Sequence, residues 1–348
     1  MCVDCREVDI EQFGYYHRQP IAFMDYSEKL GKIVCTEPIP GSQFKPQDIM
    51  IDVPMGMELE VEYVDEYDED EKEDQAENAV YELNSAMPCQ IGSVYQPVIR
   101  KEDGSLNNGT EFVTQPMTLR AHKQVEYSGI SDYGFRGYYP SSTGLHIHLP
   151  KSYFSHRQLL IFLMLHRDLA VEQNLLDFVA KRQENMWAKR RWQDPIIDYG
   201  KPMLSNRSSA ITQLAYYRHG DADVGVRRYS FVNLAPNPTI ELRYFKSNLK
   251  QDSLMARLEY VNAIYNYSKL LSLHPLQSVI DFSTNYGLVD LFVVFTYMWE
   301  NKYPLLSGRL HNNDWSLDKT ATKSTKTFAE MVFDASNKLY LPTTKEVK

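Results

Sequence analysis

A strict alternation of acidic and apolar residues runs through residues 57–63 (MELEVEY). Side chains alternate between the two faces of a β-strand, so this pattern predicts a half-buried strand with its glutamates on one face. Residues 145–149, 228–234 and 239–245 are also predicted to be strands. A further pair of strands, joined by turn-forming residues, is predicted as a hairpin within residues 94–117.

Apolar residues recur at helical spacing in three stretches, which predict helices within residues 153–192, 253–273 and 288–299. Acidic residues dominate residues 65–77, which are predicted to form a loop that runs into a short helix. Residues 128–144 mix glycine, serine and tyrosine and are predicted to be a mobile loop that closes over a substrate. Because the strands do not alternate regularly with helices, the predicted fold is α+β with an antiparallel sheet.

The composition is that of a folded protein, since 43% of the 348 residues are hydrophobic. Residues 1–50 end in a stretch rich in proline and glycine and are expected to form a small N-terminal appendage. Residues 51–348 are expected to form the main domain. No apolar stretch approaches the roughly 20 residues that span a bilayer, and the first residues lack the pattern of a secretory signal. A cytoplasmic location is therefore expected.

The net charge of −9 opposes a general affinity for nucleic acid or for an anionic membrane. One local exception is the basic, tryptophan-bearing segment KRRW at residues 189–192. Cations and indoles of this kind occur in proteins that bind single-stranded nucleic acid. A solvated helix face with its tryptophans packed inward is the favoured interpretation, so nucleic acid stays a secondary candidate partner.

The four cysteines are expected to be reduced thiols in the cytoplasm. Cys2 and Cys5 have the spacing of a zinc knuckle, and Cys35 and His17 are the available completions. A structural zinc site takes four ligands, and the chain has no second Cys-x-x-Cys pair. Chance spacing is therefore favoured over a zinc site.

Glu58 and Glu60 are the first candidates for chemistry, because their side chains would lie on one strand face about 7 Å apart. At an effective dielectric constant near 20 their repulsion is about 2 kcal/mol, which Mg²⁺ or Mn²⁺ would relieve. The alternative is an outer strand face in solvent. His146 and His148 repeat the spacing. They form either a metal or phosphate site or a pair of hydrogen-bonded surface histidines.

Two further segments carry charged residues on predicted strands. Glu241 and Arg243 are either a simple ion pair or a metal ligand beside a phosphate-binding guanidinium. Asp103 and Glu111 flank the predicted hairpin turn, where Asp103 could serve the turn and Glu111 could be an exposed strand residue. Taken together, the four segments favour a shared metal centre over independent solvated faces.

In this order the segments resemble the glutamine-synthetase-like carboxylate–amine ligases, and most of all the amidoligase family common in bacteriophages and mobile elements. The resemblance covers residues from about 55 to 275. The matching segments are GMELEVE (56–62), EDGSLNNGTEFVTQP (102–116), STGLHIHL (142–149) and YSFVNLAPNPTIELRYF (229–245). The resemblance implies an antiparallel sheet of the glutamine-synthetase-like catalytic type with helices packed on one face, and a ligase domain over residues 51–348.

The resemblance also implies roles for individual residues. His148 would lie close to the nucleotide, and Arg243 would contact the transferred phosphoryl group. Arg227 and Arg228 are either phosphate contacts or solvated surface residues. Asp103 stands where relatives place a glutamate, and its side chain is shorter by one methylene. The residues implied to hold two metal ions are Glu58, Glu60, Asp103, Glu111, His146 and Glu241.

The implied reaction is ATP-dependent formation of an amide bond. The γ-phosphoryl group of ATP passes to a substrate carboxylate, and an amine then displaces phosphate from the acyl phosphate. Glu60, Glu241 and Arg243 have the catalytic roles, and the cofactors are ATP with Mg²⁺ or Mn²⁺. The expected partners are small-molecule or peptide carboxylates and amines. Two alternatives stay open: a non-catalytic nucleotide-binding interaction protein with the ligase fold, and a phosphotransferase acting on an amine or guanidino group.

Overall fold

The computed structural model describes residues 52–85, 98–106, 108–137, 143–171, 175–182, 231–234, 236, 239–272, 292–293, 295–297 and 299–312. These residues belong to two compact units. The first contains Asp52–Tyr153 and Asp177–Leu258, and the second contains Phe154–Leu176 and the described residues from Glu259 onwards. Several predictions fall outside the described residues: the appendage over residues 1–50 with Cys2, Cys5, Cys35 and His17, the arginines Arg227 and Arg228, and the KRRW segment.

A seven-stranded sheet in which every pairing is antiparallel forms the centre of the first unit. The order along the sheet is β2-β3-β1-β5-β7-β6, and the short β4 also pairs with β1. This sheet confirms the predicted α+β class, and each predicted strand region contains a strand. The strands are β1 (Gly56–Tyr63), β2 (Val98–Lys101), β3 (Gly109–Thr114), β4 (Phe135–Arg136), β5 (Gly144–Pro150), β6 (Val232–Asn233) and β7 (Thr239–Lys246).

The strand β1 lies in the interior of the sheet and is buried on both faces. Its apolar residues Leu59 and Val61 are at most 1% exposed, as expected for the core face. On the opposite face Glu60 is only 3% exposed and Glu62 only 5%. The strand is therefore not half-buried as predicted, because the face that carries the glutamates is also covered.

The helices match the periodic segments of the sequence. The helices predicted within residues 153–192 are α3 and α4, and residues 172–174 between them lie outside the described ones. Within residues 288–299, the described residues 292–293 and 295–297 are helical. The helices are α1 (Glu69–Ser85), α2 (Leu119–His122), α3 (His156–Val171), α4 (Leu175–Ala180), α5 (Gln251–Leu271) and α6 (Pro304–Asn312).

The acidic segment forms a longer helix than predicted, since α1 has 17 residues. Asp68 starts it with a capping box: its Oδ1 accepts from the N–H of Glu71 at 2.9 Å, and Glu71 Oε2 accepts from the N–H of Asp68 at 3.1 Å. A buried stripe of small and apolar residues then anchors the helix: Ala76, Ala79, Val80 and Leu83. No helix within the described ranges is long and apolar enough to cross a membrane.

The first part of the predicted mobile loop is ordered secondary structure. Residues Tyr127–Tyr133 form a 3₁₀ helix, in which Tyr127 and Ile130 are buried. Gly134 follows with a φ of 76°, a conformation that glycine adopts without steric cost, and leads into β4. Residues 138–142 of the same segment lie outside the described residues. The described part of this segment is thus a 3₁₀ helix and a short strand rather than a free loop.

A buried histidine fixes the entry to β1. The Nε2 of His122 lies 2.8 Å from the carbonyl oxygen of Met55, so it donates a hydrogen bond there. Its Nδ1 then accepts from the hydroxyl of Tyr127 at 2.8 Å. Burial lowers the pKa of His122 to about 4, with the hydrogen bond to Met55 acting in the opposite direction. The ring is therefore neutral in the folded protein at pH 7.

We expect the stability of the first unit to fall as the pH is lowered from about 6.5 to about 4. In that range an unfolded histidine with a pKa near 6.5 binds a proton that the folded His122 does not. The free energy of unfolding should fall by roughly 3 kcal/mol across the window on account of this group. His122→Gln, which keeps one donor and one acceptor, should remove that share of the pH dependence in chemical denaturation. Equal pH dependence in both proteins would contradict the assignment.

Candidate metal centre

The strand pairing brings the predicted site residues of β1, β3 and β5 onto one face of the sheet. Glu58 on β1 stands directly opposite His146 on β5. Glu60 on β1 stands directly opposite Glu111 on β3. Opposed residues in an antiparallel pair lie on the same face with their Cβ atoms about 5 Å apart. Three strands that are distant in sequence thus contribute to one cluster.

The neighbouring pairing of β5 with β7 extends the cluster. His148 stands opposite Glu241, and Glu241 stands opposite Asn233 on β6. Near His146 the register of β5 against β7 shifts, so that the two β7 residues Arg243 and Tyr244 face a single β5 residue. Two residues opposite one residue form a β-bulge, which changes the direction of the neighbouring side chains.

Both imidazoles lie among the carboxylates. His146 Nδ1 is 3.0 Å from Glu58 Oε2, and its Nε2 is 3.4 Å from Glu60 Oε1. His148 Nε2 is 3.2 Å from the other oxygen of Glu58. His146 Nδ1 also lies 3.6 Å from Glu241 Oε1. Each histidine therefore contacts Glu58, which is the carboxylate at the centre of the cluster.

Two overlapping sets of side chains have the geometry of metal-binding groups. Glu58, His148 and Glu241 form one set, and Glu58, Glu111 and His146 form the other. Within each set the ligand atoms lie within 4.8 Å of one another. Glu58 belongs to both, and a carboxylate has two oxygens that can serve two cations. The donor types suit divalent ions, which bind carboxylate oxygen and, in the case of Mn²⁺, also imidazole nitrogen.

Contacts with neighbouring residues orient two of these ligands, Glu241 and His148. The Nδ2 of Asn233 donates to Glu241 Oε2 at 2.6 Å, while Arg243 forms an ion pair with the other oxygen of Glu241. His148 Nδ1 lies 3.1 Å from the hydroxyl oxygen of Thr239. Such contacts fix the orientation of a ligand and its tautomer, and they commonly support metal sites.

Neighbouring cationic groups stabilise the negative charge of Glu58 more than that of Glu111. Burial raises the pKa of Glu111 well above its usual value, and repulsion from Glu58 adds to the effect, whereas Lys101 at 3.8 Å opposes it. Burial also acts to raise the pKa of Glu58. The charge of His148 and hydrogen bonds from both histidines outweigh that effect and hold the Glu58 pKa well below its usual value. A cation that binds beside Glu111 would therefore compete with a proton for this carboxylate.

Asp103 and Glu60 are placed differently from the other predicted ligands. The carboxylate of Asp103 accepts hydrogen bonds from the N–H and the hydroxyl of Ser105 at 2.9 and 2.8 Å, so it stabilises the hairpin turn. Its charge still contributes to the raised pKa of Glu111. Glu60 lies beside His146, and its Oε2 accepts a hydrogen bond from the N–H of Gly144. Neither residue belongs to the two ligand sets found among the described residues.

Three residues near the cluster were not singled out from the sequence. Asn233 and Thr239 lie in the matched segment 229–245 and share its alternation with Glu241, which was a usable signal. For Arg182 the sequence contains no such signal beyond its place near a basic segment, although only 8% of this residue is exposed in the structure. Burial lowers the pKa of Arg182, while the nearby charge of Glu60 acts to raise it. Its location depends on a long-range contact that no local pattern encodes.

Comparison with known proteins adds no assignment. No family model matches the chain, and no curated protein sequence matches it. The resemblance to the amidoligase family therefore stays a prediction that rests on the four matched segments.

We expect the full chain to bind two Mn²⁺ ions, and Glu58→Gln to weaken both, because Glu58 belongs to both ligand sets. The affinity for each ion should fall by about tenfold or more. Since an imidazole occurs in each set, Mn²⁺ should also bind more tightly than Mg²⁺. Isothermal titration of the metal-free chain measures stoichiometry and affinity together.

Glu62→Gln is the matched control, because Glu62 is a buried glutamate on the same strand face that belongs to neither set. It should leave both affinities within about twofold of the unaltered chain. Equal weakening by Glu58→Gln and Glu62→Gln would show that strand packing, and not ligation, governs binding.

Proposed function

We propose that the protein is an ATP-dependent carboxylate–amine ligase that acts through an acyl phosphate at a site for two divalent cations. The proposal includes a sheet of the glutamine-synthetase-like catalytic type. The observation that carries it is the pair of ligand sets that share Glu58 on one sheet face. Two adjacent cations are an arrangement used to clamp the oxygens on both sides of a phosphoryl group during its transfer.

The ligands would be divided between the two cations. Glu58, His148 and Glu241 would hold one, and Glu58, Glu111 and His146 the other. When bound, the cations would neutralise the charge of the triphosphate and of the transferred phosphoryl group. His148 would then be a ligand as well as a neighbour of the nucleotide, which extends the role that the sequence resemblance implied.

Arg243 is assigned to the transferred phosphoryl group. Its guanidinium is paired with Glu241 and its side chain is only 12% exposed, so its position is restricted before substrate arrives. Burial acts to lower the pKa of Arg243, but the charges of Glu241 and Glu58 raise it above the usual value. Arg243 therefore stays protonated and can stabilise the charge that spreads over the phosphoryl oxygens in the transition state.

Glu60 is assigned to the second step, in which the amine attacks the acyl phosphate. The amine nitrogen gains a bond to the carbonyl carbon, phosphate leaves with its bonding electrons, and one proton must be removed from nitrogen. Glu60 is the carboxylate of the cluster that lies outside both ligand sets. A buried carboxylate next to the reacting atoms can accept that proton. The burial of this face also limits access of water, which would otherwise hydrolyse the acyl phosphate.

We expect Glu241→Gln to reduce ADP release to background, and Glu60→Gln to reduce amide formation to background while the first turnover still releases ADP. The first change removes a metal ligand and the partner of Arg243, and the second removes the proton acceptor. ADP release is measured with the full chain, Mg²⁺, ATP and the small-molecule fraction of a cell extract as substrate source. Glu62→Gln should retain most of the activity, since Glu62 lies opposite Arg136 on β4 and outside the cluster. Unchanged turnover in Glu241→Gln would exclude the metal role.

Mass analysis of the products of the same reaction separates the ligase from its alternatives. ADP together with a new amide supports ligation. ADP together with a phosphorylated amine or guanidino group would assign the site to a phosphotransferase. Binding of ATP without ADP formation would assign it to a non-catalytic interaction protein.

A further inference from the structure

Arg182 lies beside the candidate metal centre although it belongs to none of the strands. It follows α4, and only 8% of it is exposed. Its Nη1 donates hydrogen bonds to the carbonyl oxygens of Arg243 at 3.2 Å and Phe245 at 3.3 Å. Both acceptors are on β7, so the guanidinium is held against the strand that also carries Glu241.

The backbone of β5 makes room for this guanidinium. A Cβ atom on Gly144 would collide with Arg182 Nη1 and would come within 3.1 Å of Glu60 Oε2. Glycine at this position therefore lets the Arg182 guanidinium approach the strand next to the Glu60 carboxylate. A larger residue would separate Arg182 from the cluster.

The chain reaches Arg182 through an unfavourable backbone conformation. Lys181 has a φ of 55°, in the left-handed region that costs a residue with a Cβ atom about 1 kcal/mol. Its N–H still donates to the carbonyl of Asp177 at 2.9 Å, which closes the last turn of α4. Unfavourable conformations of this kind tend to persist where they serve a site.

The hydrogen-bonding capacity of Arg182 is incompletely used. Its Nε is buried and has no hydrogen-bond partner within the part of the chain that the structure describes. Among the described residues no carboxylate forms an ion pair with it, whereas Arg243 is paired with Glu241. A buried cation without a paired anion is costly, and an oxyanion that contacts the free edge of the guanidinium would relieve that cost.

We propose that Arg182 and Arg243 form an oxyanion subsite beside the metal centre. The oxyanion is either the transferred phosphoryl group of the nucleotide or the carboxylate of the acceptor substrate. Both have oxygens that match the planar fork of a guanidinium. This assignment rests on the proposed function, because that reaction places both oxyanions next to the cations.

Anion binding to the full chain saturated with Mg²⁺ tests the subsite. Inorganic phosphate and acetate are titrated separately by calorimetry as probes of the two oxyanions. Arg182→Gln should weaken binding of at least one probe by about tenfold or more, with Mg²⁺ affinity unchanged. Arg182→Lys, which keeps the charge and loses the fork, should recover part of the affinity. Arg157→Gln is the matched control, because Arg157 also donates to a backbone carbonyl, that of Ser272 at 3.2 Å.

The two probes also identify the oxyanion. Loss of phosphate binding alone assigns the subsite to the phosphoryl group, loss of acetate binding alone assigns it to the acceptor carboxylate, and loss of both makes it common to the two. If Arg182→Gln lowers only the melting temperature, or if the unaltered chain binds neither probe, the inference fails. An unaltered chain that binds an anion through Arg182 but forms neither ADP nor amide would overturn the proposed function and leave the subsite intact.

Discussion

Repulsion between like charges on one face of the sheet is the constraint on which the candidate site depends. Glu58, Glu60, Glu111 and Glu241 occupy neighbouring positions there, and the last three are at most 4% exposed. A buried carboxylate is retained only when it is protonated, paired or bound to a cation. All three responses fit this cluster: Glu111 has a raised pKa, Glu241 is paired with Arg243, and two ligand sets have room for cations.

The central strand β1 is what allows these charges to act together. It pairs with β3 on one side and with β5 and β4 on the other, so its polar face is bordered by the polar faces of its neighbours. Glu58 consequently reaches the imidazoles of His146 and His148, and it belongs to both ligand sets. An edge strand could share its side chains with one neighbour only. A carboxylate that bridges side chains from both neighbouring strands therefore requires an interior strand.

Some site residues could be predicted from the sequence and others could not. The physical reason differs between residues. The alternation of β1, β5 and β7 marks Glu58, Glu60, His146, His148 and Glu241 as members of single strand faces, because the side-chain period of a strand is two. The same reasoning could not decide whether those faces are solvated. Asp103 shows a second limit of sequence-based prediction. An acidic residue next to a hairpin turn can stabilise the turn itself, and the hydrogen bonds from Ser105 to Asp103 show that it does so here.

By itself, the sequence determined the strand segments, the α+β class and which charged residues share a face, because these follow from local periodicity and turn chemistry. The tertiary structure decided the order β2-β3-β1-β5-β7-β6, the register that sets Glu58 against His146, and the bulge beside Arg243. It also decided the burial of the acidic face and the arrival of Arg182 from outside the sheet. Register and burial depend on contacts between residues far apart in the chain, and a local pattern of polar and apolar residues contains no record of those contacts.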